Sequence, residues 1–409
     1  MKVEHARVPL GQIIILGGLG FFVLASYAIA RPAIDSLYID AFTADQLPYA
    51  WLGVGVTATV VVLGYGKITA QRELTSVLRG VLYATAVTLL ILMLWFRSGS
   101  KIAIYCLYVW KDVYIVVLIE MFWSISNGLF KLKEAKWLYG FFCVIGSLGG
   151  MTANLAIGPI AKTIGTANAP WLVLPIFIVC AALAFKMPSV HRPAQSDGHQ
   201  ADFWVGLRVI RKSDYLGFLV LVIALTQIAI TLIDFEFNRV VESHYPDKDE
   251  RTAVIGHVYA AIDIASLVLQ LAAGLIISAL GVGRTLLGIP IVLGALLGAF
   301  LVVPSAAIMS LTKICSKALD YSIFRASKEL LYLPLNPAEK TQGKAVVDML
   351  TYRLAKAGAS VAILGISAAY ASGLGTTIAA FVLVLAWLAV TVRLLPRYRA
   401  RQADVDVSA

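Results

Sequence analysis

Charged side chains inside strongly apolar segments are the residues of this chain best suited to do chemistry. Lys313, Lys317 and Asp320 are spaced i, i+4 and i+7, so they lie along one stripe of a helix. Ammonium groups that line a cavity of low dielectric constant favour an anionic ligand. Five basic side chains are therefore candidates for binding an anion: Lys313, Lys317, Arg353, Lys356 and Arg31.

Acidic side chains in the same apolar segments are candidates for coupling or gating. An ionisable group at the centre of a membrane helix costs roughly 2.5–3.5 kcal/mol on insertion scales, so its retention needs a reason. Asp112 and Glu120 are eight residues apart and are predicted to lie near one helical face. For any single residue, a structural ion pair that joins two helices is an equally good interpretation. The coupling or gating candidates are Asp35, Glu120, Asp263, Asp348 and Asp320.

The elements that would position these residues are membrane helices. Of 409 residues, 59% are hydrophobic and 14% charged, and the mean hydropathy is +0.82. Soluble domains have about 45–50% apolar and 25% charged residues. Since a spanning helix needs about 20 apolar residues, we predict twelve spans, at 9–31, 48–66, 80–96, 103–130, 139–160, 170–187, 214–234, 253–279, 285–303, 305–324, 345–369 and 374–394.

The longest polar break divides the predicted spans into six and six. We expect an N-terminal six-helix bundle at 1–187, a cytoplasmic linker with an amphipathic helix at 188–213, and a C-terminal six-helix bundle at 214–409. This layout is typical of the major facilitator fold, an all-α integral membrane architecture of two pseudo-symmetric bundles. With both termini cytoplasmic, Lys and Arg favour the cytoplasmic loops by about three to one. We expect a multi-pass protein of a bacterial inner membrane.

Other function classes lack their motifs. The net charge of +10 is spread between apolar runs without blocks of like charge, which argues against nucleic-acid binding. The four cysteines lie inside apolar runs without metal-ligand spacing. No phosphate-binding loop, nucleophile motif or zinc motif is present, so we expect neither an enzyme nor a cofactor. The expected partners are a small anionic substrate and the lipid bilayer, and we expect a monomer.

Three stretches resemble the ATP/ADP translocases, the nucleotide transport proteins of intracellular bacteria and plastids. They are YAIARPAIDSLYI at 27–39, IEMFWSISNGLFKLKEAKWLYGFF at 119–142 and the segment 316–360, which contains YLPL, GKA, Asp348, Arg353 and Lys356. The matches in the first two stretches include Arg31, Asp35 and Glu120. The resemblance implies an alternating-access transporter of a phosphorylated anion, and the chain is similar to the shorter bacterial relatives.

Departures from the family pattern concern the substrate. Ile34 stands where the family has a lysine before its aspartate, Asp320 where it has a lysine before a tyrosine, and Arg325 where it has an aspartate. We therefore expect that ATP/ADP exchange is not the main activity and that a less highly charged anion is preferred. One alternative is a proton-coupled facilitator of a non-nucleotide solute, such as a drug, siderophore or metabolite. Another is a transport-inactive receptor or assembly factor built on the same helices.

Overall fold

Helices make up nearly all of the described chain. The computed structural model describes residues 10–69, 72–130, 132–191, 203–336, 339, 344–369 and 374–408. The helices are α1 Leu10–Phe42, α2 Leu47–Thr69, α3 Leu74–Phe96, α4 Lys101–Leu129, α5 Leu132–Ile164, α6 Val173–Phe185, α7 Phe203–Lys212, α8 Asp214–His244, α9 Lys248–Val302, α10 Ala306–Leu319, α11 Arg325–Leu331, α12 Lys344–Ala369 and α13 Leu374–Ser408.

Within the described residues, eight helices are long and apolar enough to cross a membrane. They are α1 to α5, α8, α9 and α13, while Ala169–Phe185 and Leu354–Ala369 are shorter apolar helices. Helix α9 covers the eighth and ninth predicted spans and is divided by Gly281, whose φ of 77° and ψ of 156° are not helical. A positive φ at this break is a conformation that glycine adopts without the steric cost of a Cβ atom. The total of twelve spans stays a prediction.

The described residues form two compact units. The first draws on the ranges Met1–Thr43, Gly53–Ser196 and Tyr245–Asp263, and the second on Ala44–Leu52, Asp197–His244 and Ile264–Ala409. The predicted six-helix boundaries at 187 and 214 stay a prediction.

Helix α1 is the central helix of the first unit and packs against α4, α5 and α6. Its contact with α5 requires a glycine, since a Cβ on Gly149 would overlap the Phe21 carbonyl group and lie 2.8 Å from its carbon. Small residues let membrane helices approach this closely, because the backbones themselves can touch. The close contact helps to position the charged residues near the end of α1.

Helix α8 is central in the second unit and packs against α10, α12 and α13. Three polar side chains of this unit, Arg401, Glu339 and Ser213, form a hydrogen-bonded group. Arg401 donates to both oxygens of Glu339, at 2.6 and 3.1 Å, and to Ser213 Oγ at 3.1 Å. Burial raises the pKa of Glu339, but the hydrogen bonds from Arg401, Ser213 and the Asn336 backbone together hold it below its ordinary value.

Apolar side chains also cover much of the outer surface, as a bilayer requires. Leu271 and Leu275 on α9 are 74% and 76% exposed, and Val56, Val60 and Leu63 form a similar row on α2. Exposed apolar patches of this extent are not stable in water and indicate contact with lipid. Helix α7 lies within the predicted linker at 188–213, and its basic residues Arg208, Arg211 and Lys212 are exposed.

Candidate functional site: two buried ion-pair clusters

The first unit contains a buried cluster in which one lysine joins two carboxylates, called here the α1–α4 cluster. Lys111 Nζ lies 3.0 Å from Asp35 Oδ1 and 3.0 Å from Asp112 Oδ1. Tyr27 donates a hydrogen bond of 2.9 Å to the same Asp112 oxygen, and the Tyr108 ring lies 3.8 Å from Lys111 Nζ. Tyr27 and Asp35 are two helical turns apart on α1, so one face of this helix meets α4 through polar groups.

Arg31 and Asp263 lie in the same unit. The Arg31 guanidinium carbon is 3.3 Å from the centroid of the Tyr259 ring and 4.9 Å from that of Tyr27, which is cation–π geometry. Asp263, half-buried on α9, accepts a hydrogen bond of 2.9 Å from Asn154 of α5. Both residues therefore have partners of their own within the first unit.

The second unit contains the reverse arrangement, in which two lysines share one carboxylate, called here the α8–α10 cluster. Lys313 Nζ lies 2.6 Å from Asp234 Oδ1, and Lys317 Nζ lies 2.7 Å from Asp234 Oδ2. Asp320 is also buried and accepts a hydrogen bond of 3.3 Å from Gln227, which lies seven residues before Asp234 on α8. The predicted stripe of Lys313, Lys317 and Asp320 thus meets α8 through its polar side chains.

The charge balance of the α8–α10 cluster suits an anion. The three groups in direct contact, two ammonium groups and one carboxylate, have one positive charge in excess, while the carboxyl of Asp320 interacts with Lys317 without an ion-pair contact. Their surroundings are apolar helices, where charges interact more strongly than in water. An anionic group of a ligand can therefore replace one of the two carboxylate contacts without leaving a lysine uncompensated.

A further buried carboxylate lies two residues after Asp234 on α8, about half a turn away and therefore on a different face of the helix. Glu236 is buried and accepts a hydrogen bond from Thr376, and Arg239 Nη1 lies 3.7 Å from Glu236 Oε1. Arg239 also contacts the exposed Asp45, at 3.3 Å. This group can bind a proton or a cation, and sequence reasoning did not single it out.

Two groups important for the site were missed because the seventh span was predicted to end at residue 234. Helix α8 continues to His244, so Asp234 and Glu236 lie inside the helix rather than at its end. Lys111 lies inside the fourth predicted span, but its two carboxylate partners come from α1 and from its own helix. A longer helical hydropathy window, which tolerates isolated acids, could have found Asp234.

Some predicted site residues are placed differently from expectation. Glu120, predicted to lie near one helical face with Asp112, is exposed on α4, whereas Asp112 is half-buried. Lys356 is exposed, and its Nζ lies 5.8 Å from the Trp51 ring centroid. The side chains of Asp348 and Arg353 lie outside the described residues.

Ile34, where the sequence departs from the lysine of the translocase pattern, lies in the first unit. Ile34 is fully buried on α1 and precedes Asp35 directly. A lysine at this position would enter the core of the first unit and would need a carboxylate partner there.

Comparison with known proteins decides the relationship. Residues 293–398, which include α10 and the lysines of the α8–α10 cluster, match the family model of the TLC ATP/ADP transporter. The chain is thus similar to the ATP/ADP transporter family over this segment. This confirms the resemblance found in the sequence.

Relatives of this family match beyond the C-terminal segment. ADP,ATP carrier protein 1 of Chlamydia trachomatis is 24% identical over 340 residues, 70% of this chain and 64% of the carrier. ADP,ATP carrier protein 1 of Rickettsia prowazekii is 22% identical to this chain, and the match covers 57% of the carrier. The chloroplastic carrier of Arabidopsis thaliana is 22% identical, and the match covers 97% of this chain and 76% of the carrier. The matched part thus spans less than two thirds of the bacterial carriers.

Solved transporter structures share the fold of this chain. A bacterial homologue of the iron transporter ferroportin superposes with a TM-score of 0.68 over 95% of this chain and 99% of its own, at 13% identity. The nucleoside transporter NupG gives a TM-score of 0.66 over 95% and 98%, also at 13% identity. These likenesses confirm the predicted all-α, major-facilitator-type membrane fold. The chain is a multi-pass membrane protein.

Proposed function

We propose that this protein is a secondary-active transporter that carries an organic anion by alternating access, with a nucleotide or another phosphorylated metabolite as the first substrate class to test. The observation that carries the proposal is the α8–α10 cluster, in which Lys313 and Lys317 share Asp234 within apolar helices. A cluster with excess positive charge inside a membrane protein attracts an anion. The relationship to ADP,ATP carriers supports the same substrate class.

The roles of individual residues follow from charge. The basic side chains would contact the substrate anion: Lys313, Lys317, Arg353, Lys356 and Arg31. The acidic side chains would exchange partners or protons during transport: Asp35, Glu120, Asp263, Asp348 and Asp320. We further propose that the protein lies in the bacterial inner membrane as a monomer with cytoplasmic termini. Reporter fusions at Ala409 and in the 240–251 segment should then report opposite sides of the membrane.

The test of the activity is exchange in proteoliposomes. Vesicles preloaded with ADP, AMP or glucose 6-phosphate are given the same compounds in labelled form, with labelled ATP in parallel. We expect saturable uptake of at least one phosphorylated anion, and weaker uptake of ATP than of a less charged one. Asp234→Asn should alter uptake strongly, while Lys101→Gln, an exposed lysine on α4, serves as the matched control.

Two results would contradict the proposal in different ways. Absence of exchange with every anion would refute anion transport by this protein. Rapid ATP uptake that depends on internal ADP would instead show that Ile34 does not weaken triphosphate recognition and that this chain exchanges ATP for ADP. Ile34→Lys should increase ATP uptake only if its buried position can accept a charge.

A second candidate is a proton-coupled facilitator of a non-nucleotide solute such as a drug, siderophore or metabolite. The buried carboxyl of Glu236, with Thr376 and Arg239 beside it, favours this candidate because a buried acid can carry a proton. An imposed pH gradient that drives uptake without an internal exchange anion, and that fails in Glu236→Gln, would support it. A protein that shows neither activity, and in which neutralised charges change only folding, would be the receptor or assembly factor.

A further inference from the structure

The two buried clusters contain one ion-pair motif that occurs once in each half of the chain. In the first half, the aspartate is on the first membrane helix, α1, and the lysine on the fourth, α4. In the second half, α8 is the first helix, the two parts of α9 are the second and third, and α10 is the fourth. Asp234 of α8 pairs with Lys313 of α10 in the same order.

The sequence around the two aspartates supports the correspondence. Asp35 and Asp234 each follow an isoleucine, and each is followed three residues later by a buried aromatic ring, Tyr38 or Phe237. Halves of a major-facilitator fold are repeats of one another, so equivalent helices can retain equivalent contacts. Asp35 with Lys111, and Asp234 with Lys313, are therefore the shared part of the motif.

The groups that the two halves do not share are Asp112 and Lys317. The residue four positions after Lys111 is Ile115, which is buried, whereas the residue four positions after Lys313 is Lys317. The side chains of Lys111 and Lys313 are 2% and 1% exposed, whereas that of Lys317 is 16% exposed and that of Asp234 19%. The lysines of the shared pairs are thus enclosed, and Lys317 is the more accessible lysine of its cluster.

The two oxygens of Asp234 serve different lysines. Oδ1 lies 2.6 Å from Lys313 Nζ and Oδ2 lies 2.7 Å from Lys317 Nζ. Lys317 can therefore bind another anion in place of Asp234 Oδ2, while Lys313 keeps its contact with Asp234 Oδ1. After this exchange Asp234 and Lys313 still balance each other, so no buried charge is left without a partner.

We propose that, of the two lysines of this cluster assigned to the substrate above, only Lys317 contacts its anionic group. Lys313 instead forms with Asp234 a structural pair equivalent to Lys111 with Asp35. The substrate group is a phosphate or carboxylate oxygen that replaces Asp234 Oδ2 as the partner of Lys317. This inference rests on the proposed anion transport and assigns its specificity to one side chain.

The proposal is tested by thermal unfolding of the purified full chain in detergent, with ADP, AMP, pyrophosphate and glucose 6-phosphate as probes and potassium chloride at equal ionic strength as reference. The variants are Lys317→Gln, Lys317→Arg and Lys313→Gln, with Lys162→Gln, an exposed lysine of α5, as the control. Lys317→Gln should unfold near the wild-type temperature but require at least about tenfold more of the stabilising anion, since a charged hydrogen bond is lost. Lys317→Arg should keep most of the response.

Lys313→Gln should lower the unfolding temperature without any anion present. If that variant does not fold, the two Lys317 variants still decide the question. A full anion response in Lys317→Gln, or a loss of basal stability equal to that of Lys313→Gln, would overturn the assignment while leaving anion transport intact. If the wild-type protein itself responds to none of the four anions, the proposed function fails, and the role of Lys317 fails with it.

Discussion

Replacing Lys111 by methionine tests whether the α1–α4 cluster holds the first unit together. The substitution keeps most of the length of the side chain but removes the charge that lies 3.0 Å from both Asp35 and Asp112. At an effective dielectric constant near 20, each such contact is worth roughly 5 kcal/mol before desolvation costs. Removing one partner of a buried ion pair destabilises a protein by about 3–5 kcal/mol, because the remaining charge stays buried without compensation. We expect a loss in this range.

The assay is thermal unfolding in detergent, followed by tryptophan fluorescence. For a unit of this size, the expected loss corresponds to a fall in unfolding temperature on the order of 10 °C. Lys101→Gln, an exposed lysine at the start of the same helix, is the control and should change little. The combination of Lys111→Met with Asp35→Asn and Asp112→Asn removes all three charges and should recover most of the stability.

An unfolding temperature for Lys111→Met that matches the control would refute this reasoning. It would mean that the two carboxylates find other partners or water at no cost. A combined variant that is no more stable than Lys111→Met alone would show that the loss comes from packing and not from charge.

Three further outcomes follow from single contacts. Gly149→Ala should destabilise the protein by about 1–3 kcal/mol or more, because the new Cβ would overlap the Phe21 carbonyl. Gly140→Ala on the same helix has open space around it and should not destabilise the protein. Denaturation in detergent distinguishes the two variants. Gly281→Ala should cost about 1–3 kcal/mol through strain at a φ and ψ that residues with a Cβ rarely adopt, measured the same way. Arg401→Gln should lower stability at pH 7, and this loss should shrink at acid pH. The stabilisation from the lowered pKa of Glu339 is fully present above the ordinary glutamate pKa and disappears as pH falls through the lowered one. Unfolding curves between pH 3 and pH 8 check the last outcome, and a pH-independent loss would contradict it.

Local properties of the sequence determined the class of the molecule. Apolar runs of membrane length have one stable solution, a helix whose backbone hydrogen bonds are satisfied within the segment. The spacing of Lys313 and Lys317 likewise places both on one face of a helix, whatever surrounds it. The resemblance to ATP/ADP translocases was also local, because it depended on short motifs, and the family match confirms it.

Tertiary structure decided which charges meet. Asp35 and Lys111 are 76 positions apart, and Asp234 and Lys313 are 79 apart, so no periodicity within one segment could pair them. Where a helix ends also depends on packing, and α8 extends past Asp234 because its polar C-terminal part is packed against the rest of its unit. Glu120 shows the same limit in reverse, since its spacing from Asp112 was read correctly but its exposure depends on which face of α4 the neighbouring helices cover. Spacing determines the face of a helix that a charge occupies, and only the packing of other helices determines whether that face is buried and which partner it meets.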